Sequence, residues 1–243
     1  MAIIEIKDLM KKKVALISGG TSGIGKSLVS IFLDNEIKVI TFSRNKKNLD
    51  QLVKEFKNDK DLLCLQADVT SPKDIKKIFS TIKKKHKRLD FLVNNSGLGI
   101  RAPVAKLKLN EWKKIIDTNL TGVFLLTTTF LPLLKKDSLI LNIGSIASKI
   151  GFPNWSAYCA SKFGLKGFTE ALREELRPKK IKVVHAEIGP TSTRFWKQIK
   201  GWKPDKTKMI KDSEVASVLF DSITNKKSLN IDEISLMPPG GIL

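Results

Sequence analysis

The sequence predicts a doubly wound α/β domain of about seven parallel strands with helices on both faces, spanning residues 1–243. Three observations point there. Short apolar runs alternate with longer stretches of 3.6-residue periodicity along the chain. Most of the short runs are continuously apolar, as strands buried on both faces of a parallel sheet are. The regular alternation implies right-handed crossovers, which lay helices on each face of the sheet. Length and a 42% apolar content suit one sizeable core, and no repeat, linker or low-complexity block interrupts it.

The first strand, "KVALIS" at 13–18, ends in "SGGTSGIG" at 18–25, and a helix over 24–35 follows. Gly19, Gly23 and Gly25 give the spacing G-x-x-x-G-x-G, with Thr21, Ser22 and Ile24 among them. Glycine lets the backbone turn sharply and approach a ligand, and a helix amino terminus offers N–H groups and partial positive charge to a phosphate. Between the first strand and first helix of this pattern, the cluster predicts a Rossmann-type dinucleotide site. The second strand, "IKVITFS" at 37–43, precedes a helix over 46–57. Where an acid would hold the ribose hydroxyls of NAD(H), Ser43 stands, followed by Arg44. Arginine binds a 2′-phosphate that an acid would repel, so NADP(H) is expected over NAD(H), with Lys46 and Lys47 adding positive field. Otherwise Arg44 is an ordinary solvated charge opening the next helix.

The third strand, "LLCLQ" at 62–66, leads into "ADVT". There Asp68 either accepts a hydrogen bond from adenine, with Val69 packed on the ring, or caps the helix over 72–86, which "TSPKD" starts with a proline in its first turn. The fourth strand, "LDFLVNN" at 89–95, runs into "NNSG" at 94–97, at a strand carboxyl end where ligands bind in this architecture. Asn94 is placed to brace the sheet, and Gly97, after Ser96, to bring backbone to the cofactor; a plain tight turn is the alternative. One long helix is expected over 110–135, with Asn119 placed to break its hydrogen-bond ladder or to hold a water. Strands at 138–144, 181–188 and 233–238 and helices at 155–177 and 212–225 complete the pattern. Residues 194–211, "RFWKQIKGWKPDKTKMIK", fit neither period; they read as a substrate loop, mobile or in short helices, or as an irregular surface excursion.

The formal net charge of +20 favours anionic partners, from a phosphorylated cofactor to an acidic protein, or is simply a lysine-heavy solvated surface. The basic residues are dispersed and accompanied by no arginine–aromatic stripe, which argues against nucleic-acid binding. Cys64, Cys159, His86 and His185 match no metal spacing, and two reduced thiols fit a cytoplasmic protein. His185, in an apolar run, reads as a core residue. The opening "MAIIEIKDLM" lacks a signal-peptide h-region, and the most apolar stretch, 120–134, is too short to span a bilayer.

The only tyrosine, Tyr158, stands one helical turn before Lys162 in "YCASK". A phenol ionises near pH ~10, and a neighbouring cation stabilises the phenolate and lowers that value. Ser145 ends the fifth strand, thirteen residues earlier, and its hydroxyl is placed to hold a carbonyl beside the tyrosine.

In order and spacing, "GGTSGIG", "ADVT", "NNSG", "TNLTGVF", "GSIAS" and "YCASK" resemble the short-chain dehydrogenase/reductases, over roughly residues 12–196 and less specifically to the end. The resemblance implies a set of roles. Tyr158 is the proton donor and acceptor, Lys162 lowers its pKa and binds the nicotinamide ribose, Ser145 orients the carbonyl, and Asn119 holds a relay water. Hydride passes between nicotinamide and substrate carbon, with the Ile188 backbone and the Thr191 and Thr193 hydroxyls near the carboxamide. It also implies a homodimer or homotetramer. Ser18, Ser96 and Ile188 depart from the usual Thr, Ala and Pro, and the ending "ISLMPPGGIL" lacks the pattern of the 3-oxoacyl-carrier-protein reductases, which the chain is otherwise similar to. The expected activity is an NADP(H)-dependent carbonyl reductase acting on a small carbonyl substrate. A 3-oxoacyl thioester on an acidic carrier is slightly favoured. A non-catalytic NADP-binding regulatory protein is the rival.

Overall fold

The computed structural model describes residues 13–57, 59–199, 201–202, 204–224 and 229–241. The amino-terminal segment read for a leader, Lys11 and Lys12, residue 225 at the end of the last expected helix, and the final two residues of the carboxyl-terminal pattern lie outside the described residues. The chain alternates strand and helix: β1 (Val14–Ser18), α1 (Gly23–Asp34), β2 (Lys38–Ser43), α2 (Lys46–Glu55), β3 (Leu62–Gln66), α3 (Pro72–Lys85) and β4 (Leu89–Asn94) form the first half. The second half runs α4 (Leu109–Ile116), α5 (Gly122–Phe130), β5 (Leu134–Ile143), α6 (Ser156–Leu176), β6 (Lys182–Ile188), β7 (Thr191–Ser192), β8 (Ile210–Lys211), α7 (Asp212–Thr224) and β9 (Glu233–Leu236). Seven strands pair in parallel in the order β3-β2-β1-β4-β5-β6-β9, and β7 pairs β8 as a separate two-stranded ribbon.

Period-two geometry sends alternate side chains of each strand to opposite faces. Ala15 and Ile17 therefore join the core under α1 and α7, with Leu28, Phe32, Leu219 and Phe220. Val14 and Leu16 join the opposite core under α3, α5 and α6, with Ile78, Phe130 and Leu172. Phe32 is fully buried and meets both Phe91 and Phe220 edge-on at 5.3 and 5.2 Å. With both faces covered, the sheet's open region is the carboxyl edge, and the order of strands reverses between β1 and β4, where a crevice forms.

The expected helix over 110–135 is interrupted twice. Residues Asp117–Thr121 form a π-helical turn, in which the Gly122 N–H donates to the Asp117 carbonyl five residues back. Asn119 sits at its centre, as expected of a residue that breaks the ladder. Pro132 then ends the helical run in a short 3₁₀ turn, because proline has no N–H and its ring would clash with the preceding turn. The fifth strand consequently starts at Leu134 rather than 138, with a register shift against β4 between Leu89 and Phe91. The segment 194–211 is organised into 3₁₀ turns at Arg194–Gln198 and Lys206–Lys208 plus β8, so the short-helix alternative holds. Among the described residues no helix is long and apolar enough to cross a membrane.

Candidate active site

A crevice of about 560 Å³ follows the carboxyl edge of the sheet. At one end lies the glycine turn. Gly19 and Gly23 adopt φ of +70° and +55°, left-handed values that favour glycine. The Ser18 hydroxyl accepts the N–H groups of Asn95 and Ser96, both at 2.9 Å, and so ties the β1 turn to the β4 turn. Gly25 does not line the crevice. A Cβ there would stand 2.3 Å from Asn95 Nδ2 and 2.5 Å from the Gly19 carbonyl, so its role is close helix–turn packing. Ser22 precedes α1 without capping it, and no acid lies in the first turn. Those N–H groups and the dipole are therefore left to the crevice, which Thr21, Ser22, Gly23 and Ile24 line.

Ser43 and Arg44 line the same end. Asn45, not Arg44, caps α2, accepting the Asn48 N–H at 3.2 Å. Arg44 is 58% exposed and lies 3.7 Å from Asp68. Val69 lines the crevice, but Asp68 does not. It faces a second, shallow cavity with Arg44 and Lys77, and it accepts bonds from the Thr70 backbone and hydroxyl. Ser71, not Asp68, caps α3, and the Asp68 carboxylate lies beside Arg44 rather than along the crevice lining.

Ser96 and Gly97 line the middle of the crevice. Asn94 is a brace rather than a lining residue: its amide donates to Asn142 Oδ1 at 2.7 Å and to Thr127 Oγ1 at 3.3 Å. Asn119 is likewise buried and outside the lining. Its carbonyl accepts the Leu98 N–H, and its amide donates to the Leu98 carbonyl and to Ser161 Oγ. Ser161 in turn donates to the Tyr158 carbonyl at 2.7 Å. The Asn119 side chain therefore tethers the loop after β4 to α6.

Ser145, Tyr158 and Lys162 converge on the crevice. Tyr158 projects from the first turn of α6, and Lys162 Nζ lies 5.7 Å from the phenol ring centroid and donates to the Ile143 carbonyl at 2.8 Å. Burial pushes the Tyr158 phenol up to about 12, a hydrogen bond with Ser145 pulls it the other way, and neighbouring Cys159 adds to the rise. Burial pushes the Lys162 ammonium down to about 8. The spacing thus brings the ammonium beside the phenol as expected, while loss of water is the larger influence on each group.

Behind Ser145 lies a buried polar layer. Ser148 Oγ approaches the Ser145 N–H at 3.4 Å and His185 Nε2 at 3.3 Å. Burial, reinforced by the nearby Lys162 charge, pushes His185 down to about 4, so it is a neutral core histidine, as its apolar run suggested. Fully buried Glu187 is paired with Lys149 and Lys166. Across the crevice, Ile188, Thr191 and Thr193 line the wall after β6. Thr193 crosses so close to α1 that a Cβ on Gly23 would stand 2.9 Å from its methyl group.

Sequence reasoning missed an aromatic group at the far end. Trp155 stacks on Phe195 at 6.2 Å and 14°, and meets Tyr158, Trp196 and Trp202 edge-on. The signal was there: "FPNWSAY" at 152–158 and "FWKQIKGW" at 195–202 hold all five of these rings. No Asp or Glu lines the crevice among the described residues; its charged groups are Arg44, Lys162 and Arg194. Nor does any group of three or more His, Cys, Asp or Glu suit a metal ion there.

Comparison with known proteins adds the following. The family model described as short chain dehydrogenase matches residues 13–204. The chain is 30% identical, over 93% of its length and 92% of the relative's, to an NADP-dependent 3-hydroxy acid dehydrogenase of Schizosaccharomyces pombe. It is 35% identical, over 72% of each chain, to a 3-oxoacyl-[acyl-carrier-protein] reductase of Thermotoga maritima. The crystal structure of a 3-ketoacyl-(acyl-carrier-protein) reductase from Brucella melitensis complexed with NADH superposes with a TM-score of 0.85, at 24% identity, covering 93% of this chain and 97% of that one.

Proposed function

Because the chain belongs to the short-chain dehydrogenase family, we propose that it is an oxidoreductase that interconverts a carbonyl compound and a secondary alcohol with NADP(H). The observation that carries this reading is the convergence of Ser145, Tyr158 and Lys162 on one wall of a crevice whose other end is an uncapped helix amino terminus. The donor set fits a dinucleotide: open N–H groups at α1 for the diphosphate, Arg44 at the end of β2 for a 2′-phosphate, and no acid along the lining to repel either. The name of the fission-yeast relative supports the choice of phosphorylated cofactor. Bound there, NADP(H) supplies or accepts the hydride.

This chain's own residues supply the rest. Ser145 and Tyr158 donate hydrogen bonds to the substrate oxygen, where negative charge develops as the carbonyl is reduced. Tyr158 passes its proton to that oxygen, and takes one in the reverse direction. The buried Lys162 ammonium, pinned to the Ile143 carbonyl, stabilises the phenolate left behind and binds the ribose. Asn119 acts at one remove, fixing α6 and hence Tyr158 through Ser161. The reading includes a cytoplasmic homo-oligomer, favoured by the exposed rings of Phe124 on α5 and Phe163 on α6. A carrier-linked 3-oxoacyl thioester is one candidate substrate, prompted by the names of the bacterial reductases. The rival, a regulatory protein that binds NADP without turnover, has no need for three reactive side chains at one spot.

The test mixes purified protein with NADPH and a panel of carbonyl compounds, and follows the nicotinamide absorbance. Consumption that disappears in Tyr158→Phe supports the enzyme. Binding of NADPH with no consumption across the panel favours the regulatory protein.

A further inference from the structure

The far end of the crevice is walled by aromatic rings. Three of the chain's four tryptophans, Trp155, Trp196 and Trp202, cluster there with Phe195 beside Tyr158. The rings present both faces and edges: Trp155 is parallel to Phe195 within 14°, and Trp196 is turned 84° to Trp155, 90° to Phe195 and 79° to Trp202. Trp196 is held in that attitude by its indole N–H, which donates to the Thr191 carbonyl at 2.7 Å. On the opposite side the Trp155 and Phe195 rings rest on Gly99, where a Cβ would stand 2.6 Å from Phe195 Cζ and 2.9 Å from Trp155 Cζ3. The rings thus pack together against Gly99 and wall that end of the crevice.

We infer that the substrate carbonyl is borne next to an aromatic or similarly flat apolar ring, and that Trp196 and Phe195 select it. This rests on the oxidoreductase reading and names its substrate class. Aromatic walls at mixed angles reward a ring, which stacks on one neighbour and meets another edge-on, an attraction beyond area alone. A linear acyl chain gains only the area, which leucine or methionine would provide as well. A cationic ligand, which an aromatic cage can also hold, is disfavoured by a lining with Lys162 and Arg194 and no acid. Arg101 at the rim, 6.0 Å over the Trp202 ring, adds a further positive charge.

The experiment compares acetophenone and 1-tetralone with 2-octanone and an N-acetylcysteamine 3-oxoacyl thioester, using NADPH and NADH. In parallel, the rise in melting temperature on adding 1-phenylethanol or 2-octanol is measured with the cofactor present. The expected result is kcat/KM for the ring ketones about 10-fold above 2-octanone, the gain of one or two aromatic pairs, and a larger thermal shift with 1-phenylethanol. Trp196→Leu and Phe195→Leu bring both ratios towards one. Equal or better use of the aliphatic ketone or the thioester by the unaltered protein overturns the inference while leaving the oxidoreductase reading intact. Turnover of nothing in the panel, with no thermal shift from NADPH, removes both. Should a leucine variant fail to fold, the ratio of thermal shifts in the unaltered protein decides.

Discussion

Replacing Lys162 with methionine tests the buried ammonium on which the proposed proton exchange leans. Burial holds this amine at about 8, below its ordinary 10.5. Between those values the unfolded chain binds more protons than the folded one, so stability rises with pH through that window. The penalty for the buried charge is present in full below pH 8 and is relieved as pH climbs towards 10.5. Integrating the linkage relation over the lower part of the window gives about 1 kcal/mol between pH 7 and pH 9. Methionine does not titrate, and the other ionisable groups are common to both chains, so the difference between wild type and Lys162→Met isolates this one proton. Losing the bond from Nζ to the Ile143 carbonyl offsets the variant by ~1–3 kcal/mol, but it moves the curve without tilting it. Urea unfolding at pH 7, 8 and 9, followed by tryptophan fluorescence, reads the difference. Wild type should gain about 1 kcal/mol on the variant over that range. A difference that stays flat would mean the amine reaches water in solution, and the depressed Lys162 would have to leave the account.

Tyr158→Phe should lower kcat/KM by ~10²–10⁴ while the NADPH dissociation constant, measured by fluorescence, stays put; a loss of cofactor affinity in proportion would give the ring a binding role instead. Arg44→Ala should weaken NADPH by ~10–150-fold, the worth of a charge-assisted hydrogen bond of ~1.5–3 kcal/mol, and leave the KM for NADH nearly unchanged; equal losses for both cofactors would refute the 2′-phosphate contact. Asn119→Ala leaves the Leu98 N–H and carbonyl buried without their partner, so chemical unfolding should show ~2–4 kcal/mol of destabilisation; a change below ~0.5 kcal/mol, the size of a typical surface effect, would mean the tether is idle.

What the sequence revealed follows from the range of each signal. The parallel sheet was legible because continuous apolar runs and helical periodicity are local. So were the glycine turn and the Tyr–Lys spacing, set by one strand–helix junction and one helical turn. The interrupted helix at 110–135 was half legible. Pro132 was a local stop signal passed over, whereas the π turn at Asp117–Thr121 is imposed by contacts to Leu98 and Ser161, distant in sequence. The direction of the Asp68 carboxylate was hidden for the same reason, since it lies beside Arg44, a neighbour only across β2 and β3. Helical spacing reveals that a cation is near the phenol, but not that both groups lose their water. The aromatic end went unrecognised because its rings come from two segments that fold onto each other only in three dimensions.

These tertiary ties share a design. At the carboxyl edge the sheet opens towards a ligand, and apolar packing alone cannot fix the register of elements that must also present polar groups. The chain instead uses directional bonds from buried side chains. Asn94 joins β4 to Asn142 on β5, Asn142 donates to Thr169 on α6, Asn119 holds α6 to the loop after β4, and Lys162 reaches back to the end of β5. Each bond is buried, so breaking it leaves a polar group without water and raises the energy of any slipped arrangement. An apolar contact would let α6 slide by a fraction of an ångström with little change in energy. Proton transfer tolerates no such slack, because the phenol must stay within hydrogen-bond reach of the substrate oxygen. The layer of Asn94, Asn119 and Asn142 under Ser145, Tyr158 and Lys162 is therefore part of the proposed active site's construction, although none of those three asparagines lines the crevice.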